Sequence, residues 1–288
     1  MSTTGFSHVM QTNEVEPYLP TEQDVASTAE LDSTAMQPYV LSPMPTLNPN
    51  PSEPIASCDI RYGRPFKIAV LYNDEKLLVI NKPWNVRIDG PIGDTVTVES
   101  LLRVAFPLYR RLYLLHQIDY ATSGVHMWGL TKHTATVMGR LFLRKQVNKT
   151  YLAIVRGIVH LDEFEIQHPL APRIKDDRLM HVPTLGEDVP NTQAAMTLVR
   201  VLKRGVLANE QKPVTLLELR PLTGRRHQLR VHLSTIGHPI INDRKYGTLD
   251  APTYHRMMLH SWKTQFYWPV TGQPLFFEAP EQLSQLIS

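Results

Sequence analysis

Several common function classes are unsupported because the chain lacks what they need. Among its 288 residues there is one cysteine, Cys58, so no intrachain disulfide can form, which fits a reducing compartment. No run approaches the ~18 consecutive apolar residues that a membrane helix requires. The first 60 residues contain no Lys or Arg. They therefore offer neither the basic start of a secretory leader nor the arginines of a mitochondrial transit segment. The expectation is a cytoplasmic or nuclear protein with no membrane partner. There is no G-x-S-x-G elbow and no oxyanion-loop signature, so a Ser–His–Asp hydrolase around Ser123 lacks its framework. His227, His232 and His238 invite a metal, but a spacing of five between the first two shares a face on neither helix nor strand. No metal is expected.

What is present is unevenly distributed. All 30 Lys and Arg lie beyond residue 60, and eight of the 27 acids lie before it, so residues 61–288 carry an excess of eleven basic residues. The overall charge of +3 hides a basic body of the kind that suits a polyanion such as nucleic acid. The acidic segment is also rich in Ser, Thr and Pro, with prolines at 43, 45, 49, 51 and 54 and no sustained period. It cannot bury enough apolar surface to offset its ordering entropy. Residues 1–62 are expected to be a disordered tail and 63–288 one catalytic domain.

Beyond Pro65 the pattern reads as strands with interspersed helices. Strands are expected at 66–71, 77–81, 112–118, 125–130, 150–155, 192–202 and 214–219, with a final hairpin turning at Thr271-Gly272. Helical spacing appears at 97–106, 134–143 and 228–235, and Gly237 closes the last. Residues 158–190 read as strands with a long polar excursion. Without βαβ regularity, the expected class is α+β with a mostly antiparallel mixed sheet and flanking helices.

Two distant blocks carry the chemistry. LHQIDYATSG (115–124) offers one carboxylate, Asp119, where a strand is expected to give way to a turn. TGRRHQLRVHLSTIGHPIINDRKYG (223–247) offers a dense set of arginines and histidines. An isolated buried carboxylate goes neutral, so a nucleophilic Asp119 needs a cation beside it. Arg225, Arg226 and Arg230 are the candidates, and 226 and 230 share a face if that stretch is helical.

These blocks resemble the RluA-like family of RNA pseudouridine synthases, whose signatures run close to HRLDxxTSG and TGRxHQIRVHLxxxGHPIxGDxxYG. NDEKLLVINKPWNVRIDG (73–90), KTYLAIVRG (149–157) and MMLHSWKTQFYWPVTGQPLFFEAP (257–280) resemble further family blocks in the right order. The variants KPWNVRID and HQID look most like the eukaryotic subgroup described as RNA pseudouridine synthase domain-containing proteins. The resemblance implies the pseudouridine synthase fold and isomerisation of uridine in RNA, whether tRNA, rRNA or mRNA, by a monomer without cofactor. It implies Asp119 as nucleophile, Arg230 as its partner with Arg225 second, and Tyr151 stacked on the target base. Lys149, Arg225, His227 and Gln117 join the substrate-binding set, with Leu219 or Leu222 as an apolar wall. One departure counts: the HRLD arginine, which helps to hold the target nucleotide out, is Gln117 here. That supports an alternative, an RNA-binding protein of the same fold with little or no catalysis. A cation restored at 117, in a pocket rebuilt around glutamine, would stand unpaired. A hydrolase built on Asp119 and His116 is a third, unrelated reading.

Overall fold

The structure is a computed structural model and describes residues 55–59, 64–90, 96–173, 176–208, 211–247 and 255–288. The tail expected over 1–62 lies outside the described residues except at its end. There the expectation needs correction: Ile55–Asp59 is a strand, β1, paired antiparallel with β2 (Arg64–Asn73). Ile55 faces Ile68 in this register, so the apolar start of IASCD extends the sheet rather than the tail.

β2 turns into β3 (Leu77–Lys82) at Asp74, whose Oδ1 accepts from the backbone N–H of Lys76 and Leu77 at 2.7 and 2.6 Å. The run LLVINK is buried on nearly every position, which marks a strand covered on both faces. Pro83 ends it by removing the next ladder donor. α1 (Val98–Ala105) starts at a capping box between Thr97 and Ser100. β5 (Ser123–Gly129) pairs β3, and α2 (Lys132–Leu143) follows, capped by Thr131. Met138 and Leu141 of α2 are buried, as the helical spacing anticipates.

The strand expected over 112–118 is shorter: only β4 (Tyr113–Leu114) pairs β5. His116 interrupts the ladder. Its Nε2 accepts the Met127 N–H at 3.1 Å, and its carbonyl meets His126 Nε2 at 3.0 Å. A side chain thus takes the place of a strand neighbour, and residues 115–122 are left to form a loop.

The remaining strands are β6 (Asn148–Arg156), β7 (Glu163–Ile166), β8 (Ala171–Arg173), β9 (Asp176–His181), β10 (Thr197–Val206), β11 (Pro213–Pro221), β12 (Leu259–Tyr267) and β13 (Pro274–Glu278). The large sheet runs β1-β2-β3-β5-β12-β6-β11-β10-β7, with β13 beside β12 and β4 beside β5. β8 and β9 form a separate hairpin inside the polar excursion. Among the described pairings between strands, β5 with β12 is the parallel one, His260 facing Ser123 and Ser261 facing Gly124. The α+β class with a mostly antiparallel mixed sheet is the architecture found.

β12 begins earlier than the hairpin pattern suggests and crosses the middle of the sheet between β5 and β6. Gly124 permits that approach. Its φ is +107°, and a Cβ there would lie 2.0 Å from the Ser261 carbonyl oxygen. α3 (Gln228–Thr235) is buried along Gln228–Leu233 rather than on one face. It packs Leu229 and Leu233 into the core of β6 and β11, while Val231 contacts a small cluster with Leu170, Ala195 and Tyr246. The helix is therefore enclosed between the sheet and the excursion, and Arg230 sits inside that enclosure.

Candidate active site

Asp119 occupies a tight turn that closes with a Thr122 N–H to Asp119 carbonyl bond of 3.0 Å. Lys82, wholly buried at the end of β3, pins this turn from below. Its Nζ donates to the carbonyls of Pro83 (2.8 Å), Tyr120 (3.2 Å) and Thr122 (2.9 Å). An ammonium has three donors, and all three are used. Burial pulls the Lys82 amine down to about 7, opposed by the Asp119 carboxylate and reinforced by the Arg256 charge. No pattern in the sequence singles out this lysine, because its role depends on two chain segments meeting.

The carboxylate itself is held by Arg230. Nη1 donates to Asp119 Oδ2 at 2.7 Å, while Nε and Nη2 grip both oxygens of Asp243, each at 2.7 Å. Arg230 is 6% exposed, Asp243 0% and Asp119 23%, so of the two acids Asp119 is the one open to solvent. Burial works against the Arg230 charge, but the Asp243 bonds and both carboxylates outweigh it and hold the guanidinium protonated. An Asp–Arg pair at about 4 Å is worth roughly 4 kcal/mol at an effective dielectric near 20, before desolvation is subtracted. Among the described residues no hydrogen bond reaches Asp119 Oδ1. That oxygen faces His227, whose Nε2 stands 3.8 Å away.

His227 is set by its backbone as well as its ring. It adopts φ +54° immediately before α3, and its Nδ1 bonds the Tyr246 hydroxyl at 2.6 Å. Burial holds its imidazole down to about 4, Asp119 opposing and Arg230 adding to the fall, so it is neutral at pH 7. The Tyr246 ring lies beneath Arg230, 5.1 Å from Cζ, and its hydroxyl also accepts from the Met180 N–H of β9. Asp243 and Tyr246 were missed as site residues, although both lie in the quoted block: the arginines drew the reading, and their counter-charges did not.

Tyr151 lies in β6, 9% exposed, facing Leu219 of β11. Burial pushes its phenol up to about 12; the Ser261 hydrogen bond opposes this and the Asp119 charge adds to it. Leu219 is wholly buried, so it belongs to the core. Leu222 is 38% exposed beyond the strand end. Lys149 Nζ reaches the TGR turn, 3.5 Å from where a Cβ on Gly224 would stand.

Other candidates fall elsewhere. Arg225 donates from Nε to the Ala194 carbonyl at 3.1 Å and is exposed, so it is not the partner of Asp119. Arg226 precedes the helix and does not share a face with Arg230, because the left-handed His227 turns the chain between them. It reaches the Asp177 carbonyl at 3.2 Å. Gln117 is exposed, and among the described residues nothing bonds its side chain. A rebuilt, enclosing pocket around it is therefore not found. The three histidines diverge: His232 spans Thr197 and the His168 carbonyl, and His238 bonds the Arg156 carbonyl. His116 is committed to the β5 backbone, which leaves the Asp119–His116 hydrolase without its base.

The profile of the RNA pseudouridylate synthase family matches residues 76–235. The chain belongs to that family. By that membership it is an RNA pseudouridine synthase, an isomerase. It is 35% identical over 222 residues to RNA pseudouridylate synthase domain-containing protein 1 of Danio rerio, covering 74% of each chain. It is 31% identical over 218 residues to ribosomal large subunit pseudouridine synthase C of Buchnera aphidicola, covering 73% of this chain and 66% of that one. About a third of the bacterial protein thus lies outside the match. Among solved structures, human RNA pseudouridylate synthase domain containing 1 aligns with TM-score 0.66 and 32% identity, over 74% of this chain and 83% of that one.

Proposed function

We propose that this chain converts uridine to pseudouridine in a structured RNA, with Asp119 as the nucleophile. The observation that carries the reading is the asymmetry of its carboxylate. Oδ2 is tied to a buried guanidinium that a second carboxylate already orients, whereas among the described residues no hydrogen bond reaches Oδ1 of this 23% exposed side chain. Such an acid sits against a fixed cation and keeps one oxygen for a reacting partner. The target uridine leaves its stack to reach it. With Asp119 as nucleophile the bond between C1′ and N1 breaks, the uracil turns to join C1′ through C5, and the bond to Asp119 breaks as that C–C bond forms. C5 gives up its proton and N1 takes one up, so no electrons enter or leave. Tyr151, protonated at neutral pH, stacks on the base. Arg230 holds Asp119, and His227, neutral and unable to form a competing ion pair, lines the other side. Leu222, Lys149 and Gln117 meet the substrate around the rim.

Gln117 favours a second reading, RNA binding with weak catalysis, since the family's cation is absent there. The two separate in one experiment. Pseudouridine mapping of total RNA from cells with and without the protein names the substrate, which is tRNA, rRNA or mRNA. Purified Asp119→Asn is then expected to bind that RNA but form no pseudouridine. Retention of a tenth of the parent rate would remove Asp119 from its role. A parent protein that binds the RNA without converting it would favour the second reading.

A further inference from the structure

The turn after β3 ends in an aromatic side chain that the isomerisation does not use. Trp84 is 39% exposed, and Tyr120, the neighbour of Asp119, is 45% exposed. Lone exposed aromatics are ordinary on protein surfaces. These two are not independent, because the Lys82 ammonium holds the carbonyls of Pro83 and Tyr120 together and so ties the Trp84 turn to the Asp119 turn. Trp84 is also fixed from behind. The Arg256 guanidinium lies 4.7 Å from its ring centroid, and Arg256 in turn donates to Ser123 Oγ at 2.6 Å. The adjacent Asn85, at φ +57°, donates from Nδ2 to the His255 carbonyl at 3.2 Å. The indole thus has a cation against one face and is 39% exposed, on a turn that Lys82 ties to the Asp119 turn. Among the described residues Arg256 has no carboxylate partner; its hydrogen bonds go to the Ser123 hydroxyl and the carbonyls of Met257 and Leu259.

We propose that Trp84, backed by Arg256 and flanked by Tyr120, stacks on an unpaired nucleobase next to the uridine that enters the site. The proposal rests on the RNA-isomerase reading and adds to it a preference for RNA whose neighbouring nucleotide is outside a helix. Extruding a uridine leaves its neighbour without a stacking partner. An indole at that place restores one, and it does so for any base, because every base has a π-face. A cation behind the ring favours an electron-rich face on the other side and a phosphate nearby.

The test uses the full chain in an Asp119→Asn background, which binds RNA without turning it over. The probes are a short single-stranded RNA of mixed sequence with one central uridine, and the blunt duplex of the same sequence. Trp84→Ala is expected to lose roughly tenfold or more in affinity for the single strand and little for the duplex. The slope of log affinity against log salt is expected to stay unchanged, since no phosphate contact is removed. Trp84→Phe keeps most of the affinity. Single-stranded RNA quenches tryptophan emission of the parent more than that of Trp84→Phe, the difference being Trp84 itself. That measurement stands even where the alanine variant fails to fold. Equal losses on both RNAs, a changed salt slope, or identical quenching would overturn the platform while RNA binding stood. A parent that binds neither RNA would overturn the RNA reading, and the platform with it.

Discussion

Asp243→Asn is the perturbation that most directly probes how the site is held. Asp243 Oδ2 accepts Arg230 Nε, and Oδ1 accepts Nη2 together with the backbone N–H groups of Lys245 and Tyr246 at 2.9 and 3.2 Å. An asparagine with its oxygen in the Oδ1 position keeps the last three bonds. Its amide then faces Nε–H donor to donor, and the negative charge is gone. Breaking a buried ion pair costs about 3–5 kcal/mol. Arg230 still has Asp119, which places the cost near the lower end, at about 3 kcal/mol. For a domain of this size that is a fall in melting temperature of roughly 6–12 °C. The guanidinium also loses its orientation, so Asp119 is held less well and kcat falls on the order of a hundredfold, as small misplacements of reacting groups do. Thermal melts and single-turnover conversion of the mapped RNA read both quantities. A melting temperature within about 2 °C of the parent would refute the assigned strength of the pair. In an Arg230→Met background the Asp243→Asn cost is expected to shrink. Full additivity would mean that Asp243 acts only through the two backbone N–H groups.

Gln117→Arg is expected to tighten RNA binding by about 1 kcal/mol and to raise turnover. The side chain is exposed, so the added charge stays solvated, and the objection of an unpaired buried cation does not apply. The slope of log affinity against log salt is expected to steepen by about 0.7–0.9; a rate below the parent's would count against this. Stability is expected to fall on acidification. Burial holds His260 down to about 4 while the unfolded chain protonates near 6.5. Its contribution is therefore complete above pH 6.5 and lost as pH drops toward 4, amounting to about 2 kcal/mol at pH 5. Melts at pH 7 and pH 5 check it, and His126, wholly buried and shifted the same way, adds to the effect. Removing residues 1–54 is expected to leave the melting temperature nearly unchanged. Removing 1–59 strips β1 from β2 and lowers it; equal melting of the two truncations would mean that β1 adds nothing.

Local patterns were enough for much of this protein. The strand at 77–81, the helix that starts near Thr97 and the α3 span all depend on neighbours within a few residues, where propensity and capping decide. That Asp119 would meet an arginine of the second block was also legible; residue types left Arg225, Arg226 and Arg230 open, and the family resemblance pointed to Arg230, which makes the contact. What could not be read were other relations between segments far apart in the chain. Asp243 drew no reading of its own, and only the enclosure of α3 shows that it meets Arg230. Lys82 looked like a strand terminator until β3 and the Asp119 turn met around its ammonium. His116 shortened a strand that periodicity extended, because its imidazole and not its backbone answers Met127. Arg226 shared a face with Arg230 only if the helix began early, and the left-handed His227 delayed it. In each case composition set which groups were available, and the enclosed tertiary contacts decided which charge met which, since burial makes an unpaired charge too costly to keep.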